Sequence, residues 1–368
     1  MYNLNPRPRI LMGPGPSDAH PRVLNAMATP LIGHLDPEFV KLMDEVKEMT
    51  QKTLLTKNHL TFVVSAPGSA GMETCLVNLL EPGDECIIGI NGVFGGRMAE
   101  IANRAGATVH KVEVPWGQVI EPAMIKVALD KCPKPKLVAM VHAETSTGAC
   151  QPLEEISDLV HNAGSLLMID AVTSYCGVPL KVDEWNIDAL YSGTQKCLSA
   201  PPGLSPVTFS DRAVKVLENR KTKVQSWFLD LTLVKNYWAG AKRAYHHTAP
   251  VSSVYALHQA LSIVLEEGLE NRWKRHQAVH QYLKTQLEDL GFKYLVEEAH
   301  RLPNLNAVYL PNGLPEAPLR KQLLEEYNIE VGGGLGAFAG KIWRVGIMGE
   351  SCTKNHVNAL VGALKEML

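Results

Sequence analysis

The sequence predicts an α/β protein: a mostly parallel, doubly wound sheet in a large domain, followed by a smaller C-terminal α+β domain. Three observations carry this. Short apolar runs alternate with helical periodicities over residues 61 to 210, the βα pattern that builds a parallel sheet. Some of those runs, such as Leu166–Ile169 and Leu137–Val141, are continuously apolar, as strands covered on both faces must be. A chain of 368 residues is long for one core and suits two domains sharing a boundary. We divide it into an arm (1–20), a large domain (21–265) and a small domain (266–368).

Composition narrows the function classes. Hydrophobic residues make up 46% and charged ones 20%, as in an ordinary soluble globular protein. A net charge of -2 gives no electrostatic reason to expect nucleic acid or an anionic membrane as partner. The first ten residues hold no apolar core of signal-peptide length, no apolar run is long enough to span a membrane, and the last residues, Lys365–Leu368, are not a peroxisomal ending. The 7 cysteines form no CxxC pair and lie mostly in apolar runs, so reduced core thiols are expected, without disulfides or a metal site. A cytoplasmic location follows as an expectation.

The elements run in order. Four prolines before residue 17 forbid a continuous helix in the arm, and Gly13 and Gly15 allow close backbone approach there. Phe39, Leu42, Met43, Val46 and Met49 give residues 37–55 a helical period. Residues 61–64 are a strand, and a small-residue turn leads into a helix over 72–80. The backbone N–H groups of Gly68, Ser69 and Ala70 at that helix start form an anion cradle. Strands follow at 85–90, 108–114 and 137–141, with helices at 97–105 and 123–132 and a glycine-rich loop at 91–95 that carries Phe94. Glu144 to Gly148 places hydroxyls at a strand's C-terminal edge, and 206–210 is the last strand of this domain. Residues 211–250 read as irregular and aromatic, which points to core or a subunit interface. Linked helices cover 252–290; the small domain adds strands at 306–310 and 342–347 and helices at 318–326 and 353–367, with a glycine-rich segment at 331–336 too flexible for regular structure.

Two charged residues stand out. Ile187 to Tyr191 opens into Ser192-Gly193-Thr194-Gln195-Lys196 and then Pro201-Pro202-Gly203, so a lysine follows a strand end in a Gly- and Pro-rich loop, where α/β enzymes place their chemistry. Leu166–Asp170 is a buried strand ending on an acid, which is costly unless a cation meets it. A lysine and an aspartate at neighbouring strand ends point to pyridoxal phosphate: the lysine can bond the cofactor's aldehyde and the aspartate can hold its pyridine nitrogen protonated.

Beyond these two, several rare strings occur in order: GPGPS at 13–17, LEPGD at 80–84, ETSTG at 144–148, IDAVTS at 169–174, YSGTQK at 191–196, APPG at 200–203 and YHHT at 245–248. With them the chain closely resembles, almost end to end, the alanine-glyoxylate and serine-pyruvate aminotransferases of class V, fold type I pyridoxal-phosphate-dependent transferases. The resemblance implies that Gly15 and Arg344 bind the substrate carboxylate, that Phe94 and Val172 flank the cofactor ring, and that Thr145 bonds the ring oxygen or nearby groups. Animal relatives carry tryptophan at the position of Phe94 and serine at that of Thr145. It also implies that Gln195 joins the phosphate site and that Tyr245 and Thr248 reach the phosphate of the neighbouring subunit in a homodimer. Arg344 has its own argument: a guanidinium in the apolar strand Ile342–Val345 needs an anion, and its fork fits an α-carboxylate.

The expected reaction moves an amino group from alanine or serine to glyoxylate or pyruvate. A cysteine desulfurase would need a cysteine in the loop 332–340, and there is none. A ureidoglycine-glyoxylate aminotransferase shares the framework and differs in a few pocket residues, with His34 and Val251 as candidates. A noncatalytic binding protein would be expected to have lost Lys196 or Asp170.

Overall fold

The computed structural model describes every residue except 1–3, 133, 239–242 and 312. Its large sheet has seven strands in the order Leu60–Val64, Ser205–Phe209, Ala189–Tyr191, Leu166–Asp170, Leu137–Val141, Glu85–Ile90 and Thr108–Glu113. All neighbours are parallel except that Ser205–Phe209 runs antiparallel to both of its partners. Four of these strands are buried along their whole length with at least five residues each, and their Val, Ile, Leu and Phe side chains stiffen the pleat while filling both faces. Phe62, fully buried, packs on Trp238 with ring centroids 6.0 Å apart. Deleting such a ring costs about 3–5 kcal/mol, because the cavity persists.

A second sheet runs Lys293–Tyr294, Leu305–Tyr309, Ile342–Gly346, Gly332–Gly333, all antiparallel. It belongs to a separate apolar core built from Leu283, Leu287, Val308, Trp343 and Leu360. The arm joins this core: Ile10–Leu11 pairs in parallel with Ile329–Glu330, and Met12 is buried there. Two helices, Val251–Glu267 and Leu269–Asp289, connect the cores and are separated by Gly268 at φ 79°, a conformation that glycine adopts without penalty. No helix among the described residues is long and apolar enough to cross a membrane.

Several local expectations need correction. The aromatic stretch 211–250 contains two helices, Asp211–Glu218 and Leu231–Trp238; the first is capped by the Ser210 hydroxyl, and the second buries Leu231, Val234, Tyr237 and Trp238 at helical spacing. Aromatic content had masked that period. The helix expected from Met72 starts at Gly68, and the one expected from Arg97 starts at Val93, so Phe94 lies in a helix's first turn and not in a loop. The segment 331–336 is partly regular: Gly332–Gly333 is a strand against Trp343 and Arg344, and a Cβ at Gly332 would fall 2.5 Å from Pro14 Cδ. The glycines there admit close packing. Helices Pro21–Met27 and Glu154–Asn162 went unread in the sequence.

Candidate active site

Parallel register brings the first pieces together. Asp170 ends its strand opposite Tyr191, and the Tyr191 hydroxyl donates to Asp170 Oδ2 while the Val172 N–H donates to Oδ1 at 2.9 Å. Burial pushes the Asp170 carboxyl up to about 7, against those two hydrogen bonds; the nearby Glu144 charge adds to the rise and Lys196 opposes it. Lys196 is also buried, and its ammonium donates to the Pro14 carbonyl. Burial lowers its pKa to about 8, with the Arg344 charge acting in the same direction, so a usable fraction of free amine exists at neutral pH.

The arm closes over this lysine. Gly15 has φ 102°, and a Cβ there would lie 2.6 Å from Lys196 Cδ and Nζ. Ser17 fixes the crossing: its N–H donates to the Gln195 carbonyl at 2.9 Å and its hydroxyl to the Lys196 carbonyl at 2.7 Å.

Gly68 and Ser69 open a helix whose N-cap, Pro67, makes no side-chain bond to the first-turn N–H groups. Ala70 differs from its expected role, since its N–H donates to the Pro67 carbonyl at 2.8 Å. Gly68 lies against the turn after Asp170, where an added Cβ would touch Val172 Cγ2 and the Ser192 carbonyl, each at 3.4 Å. Gln195 presents a buried Oε1 with no partner among the described residues. A cation that the motifs did not show stands here: Arg97 Nη1 donates to Ser69 Oγ at 3.3 Å, and its guanidinium lies 5.0 Å from the Phe94 ring centroid. The spacing of three from Phe94 would have revealed it had the helix been started at Val93.

On the other side Arg344 is 8% exposed, and no carboxylate among the described residues lies within ion-pair distance of it. Its Nε donates to the Gly333 carbonyl at 2.8 Å and its Nη1 to the Thr145 carbonyl at 3.3 Å. Burial lowers its pKa to about 10, which leaves it charged at neutral pH. A buried guanidinium without an acid, holding unused donors, is a receptor for a carboxylate. The Thr145 hydroxyl is bonded to that of Thr173, and Glu144 is fully buried beneath them.

Tyr245 and Thr248 stand apart from this cluster: both are exposed, Tyr245 at 62%, with its ring 5.3 Å from that of His34. His34, Thr248 and Val251 line one open groove of about 330 Å³. Between Tyr245 and Thr248, His247 bonds the Ser65 hydroxyl at 2.7 Å. Tyr191, Glu144 and Arg97 were not singled out from the sequence.

A strand-end lysine and aspartate, an uncapped helix start and an unpaired arginine suit a cofactor with an aldehyde, a basic ring nitrogen and a phosphate. The family profile described as Aminotransferase class-V matches residues 15–348. The chain belongs to the class-V aminotransferases. It is a transaminase with the fold type I architecture of its structural neighbours. It is 42% identical over 363 residues to the alanine-glyoxylate aminotransferase of Rattus norvegicus, covering 98% of this chain and 87% of the rat protein. The (S)-ureidoglycine-glyoxylate transaminase of Bacillus subtilis is 38% identical over 378 residues, covering 98% of this chain and 90% of that one. The crystal structure of an alanine-glyoxylate aminotransferase from Nostoc sp. superposes with a TM-score of 0.97 at 47% identity, covering 100% and 97% of the two chains. A NifS-like protein at 18% identity shares the fold alone.

Proposed function

We propose that this class-V aminotransferase uses pyridoxal 5'-phosphate to move an amino group from alanine or serine to glyoxylate or pyruvate. The observation that carries this reading is one buried cluster in which a lysine and an aspartate adjoin an arginine that pairs with no acid among the described residues. When bound, the cofactor supplies an electron sink for the substrate's Cα. Lys196 would hold it covalently through the aldehyde, give it up to the donor's amine and, once free, carry the Cα proton to the cofactor's former aldehyde carbon. Asp170 would hold the ring nitrogen's proton, Phe94 and Val172 would flank the ring, and Thr145 would bond its oxygen. Gly68, Ser69 and Gln195 would surround the phosphate. Arg344, with the amide of Gly15, would bind the substrate carboxylate and orient the Cα–H bond for proton transfer.

The same reading makes the enzyme a homodimer in which Tyr245 and Thr248 complete the neighbouring subunit's phosphate site; their exposure supports it. Its arm, large and small domains divide at 20 and 265, which the separate cores support. Seven free cysteines support a reducing compartment such as the cytoplasm. A ureidoglycine donor is the second reading, favoured by the Bacillus relative. Purified enzyme assayed with alanine, serine and ureidoglycine against glyoxylate and pyruvate separates the two. Turnover with alanine or serine exceeding that with ureidoglycine is the expected result; the reverse ranking replaces the first reading with the second.

A further inference from the structure

We propose that Glu144 is a positioning residue that holds the backbone at Phe94 and links that ring, through the adjoining peptide, to the substrate arginine. The proposal rests on the cofactor reading above. Glu144 is 0% exposed, at the C-terminal side of the strand Leu137–Val141, and no lysine or arginine among the described residues is within ion-pair distance of it. Its carboxylate reaches two segments. Oε1 accepts from the Ser146 N–H at 3.0 Å and from the Ser146 hydroxyl at 2.5 Å. Oε2 accepts from the Phe94 N–H at 3.1 Å, across 50 positions of sequence.

Two of those donors are backbone N–H groups, which cannot reverse, so the arrangement requires an acceptor at both oxygens and is satisfied by the ionised acid. Helix Val93–Arg104 has Gly92 as its N-cap and no side-chain bond from it, so Glu144 supplies the negative cap that the helix start favours. The fit is close. An added Cβ at Gly92 would collide with the Glu144 carboxyl and come within 2.5 Å of Ser146 Oγ, while the Val93 N–H donates to that same hydroxyl at 3.1 Å. Burial opposes the charge and raises the Glu144 pKa, while the hydrogen bonds from Ser146, Phe94 and Gly95 lower it.

The segment then continues to the other end of the site. Thr145, between the two residues that bond one another, gives its carbonyl to Arg344. One rigid tripeptide, 144–146, therefore sets both the ring expected on the cofactor's face and the guanidinium expected on the substrate carboxylate. A shift of the carboxylate would move both.

The test uses the full-length protein and Glu144→Gln, which keeps the shape but turns an NH₂ toward an N–H. Cofactor Kd from fluorescence titration with pyridoxal 5'-phosphate should rise about 10-fold, on the order of one lost charge-assisted hydrogen bond. At saturating cofactor the circular dichroism of its visible band, which reports ring orientation, should fall per mole bound, and KM for the amino donor should rise by a larger factor than kcat falls. Phe94→Ala should lower the same dichroic band, and combining it with Glu144→Gln should add little. If Glu144→Gln at saturation shows the wild-type band and KM while only its melting temperature drops, Glu144 is structural and the proposal is wrong. Should that variant not fold, Ser146→Ala leaves the carboxylate in place and removes one of its donors; a wild-type band and KM there also refute the link. A wild-type protein without any cofactor band would instead overturn the cofactor reading, and this proposal with it.

Discussion

In the buried cluster, Asp170 and Glu144 accept from backbone N–H groups, while Lys196 and Arg344 donate to backbone carbonyls. At Trp227 and Tyr245 the pattern is reversed: they are 63% and 62% exposed, and their neighbours are other rings, as where Trp227 stacks on His246 at 4.5 Å. Desolvated charges need a scaffold that cannot move, whereas exposed aromatic surface is stabilised when something outside the chain covers it. The first region's four charged groups all come from a single chain. The other, in the reading above, is completed by a second copy.

The largest expected effect breaks the buried cluster. Lys196→Ala should lower transamination by about 10³-fold or more, the scale of a lost general acid/base that is also the nucleophile. It should also abolish the cofactor linkage trapped by borohydride; a labelled peptide found elsewhere in the chain would move the assignment from Lys196. Arg344→Ala comes next. Losing hydrogen bonds to a charged group should cost about 2–3 kcal/mol, roughly 30- to 150-fold in kcat/KM for α-carboxylate donors. Cofactor affinity should barely change, and unaltered kinetics with alanine would mean that another group holds the carboxylate.

The exposed half is tested by Tyr245→Phe combined with Thr248→Ala, which should weaken cofactor binding about 10-fold, as the loss of two hydroxyl donors would. Mixed with Lys196→Ala, it should give heterodimers in which both lesions fall on one site. Activity recovered on subunit exchange, approaching half that of a wild-type dimer, would support sharing; no recovery despite proven exchange would confine each site to one chain.

A smaller effect concerns pH. The folded Asp170 value of about 7 lies above its usual unfolded value near 4, so its contribution to stability is fully present below about 4 and is lost as pH rises through about 7. Melting of cofactor-free protein from pH 5 to 8 should show a decline that Asp170→Asn flattens; equal slopes in the two proteins would show that the carboxyl is not the source. Phe94→Trp should produce the smallest change, tightening cofactor binding about threefold through a larger stacked face. Weaker binding would mean that the Gly92–Glu144 fit leaves no room for the larger ring.

Much of this is legible in the sequence. The buried parallel strands announced themselves by composition, and Lys196 and Asp170 by standing where such strands end. Helix starts were read late at Gly68 and Val93, because small residues carry no apolar period, and that error hid Arg97. Tyr191 was overlooked although its strand had been read, since only the register that sets it opposite Asp170 gives its hydroxyl a partner.

The sequence by itself determined the α/β class, the order of the strands along the chain, and the lysine, aspartate and arginine proposed to carry the chemistry, because these depend on residue type and local period. Only the tertiary structure decided that the arm closes on Lys196, that Glu144 caps a helix 50 positions away and that no acid among the described residues pairs with Arg344. Those facts depend on which distant groups share a buried space, where a polar atom must be satisfied by whatever the fold brings within 3 Å or so, and local pattern does not encode that.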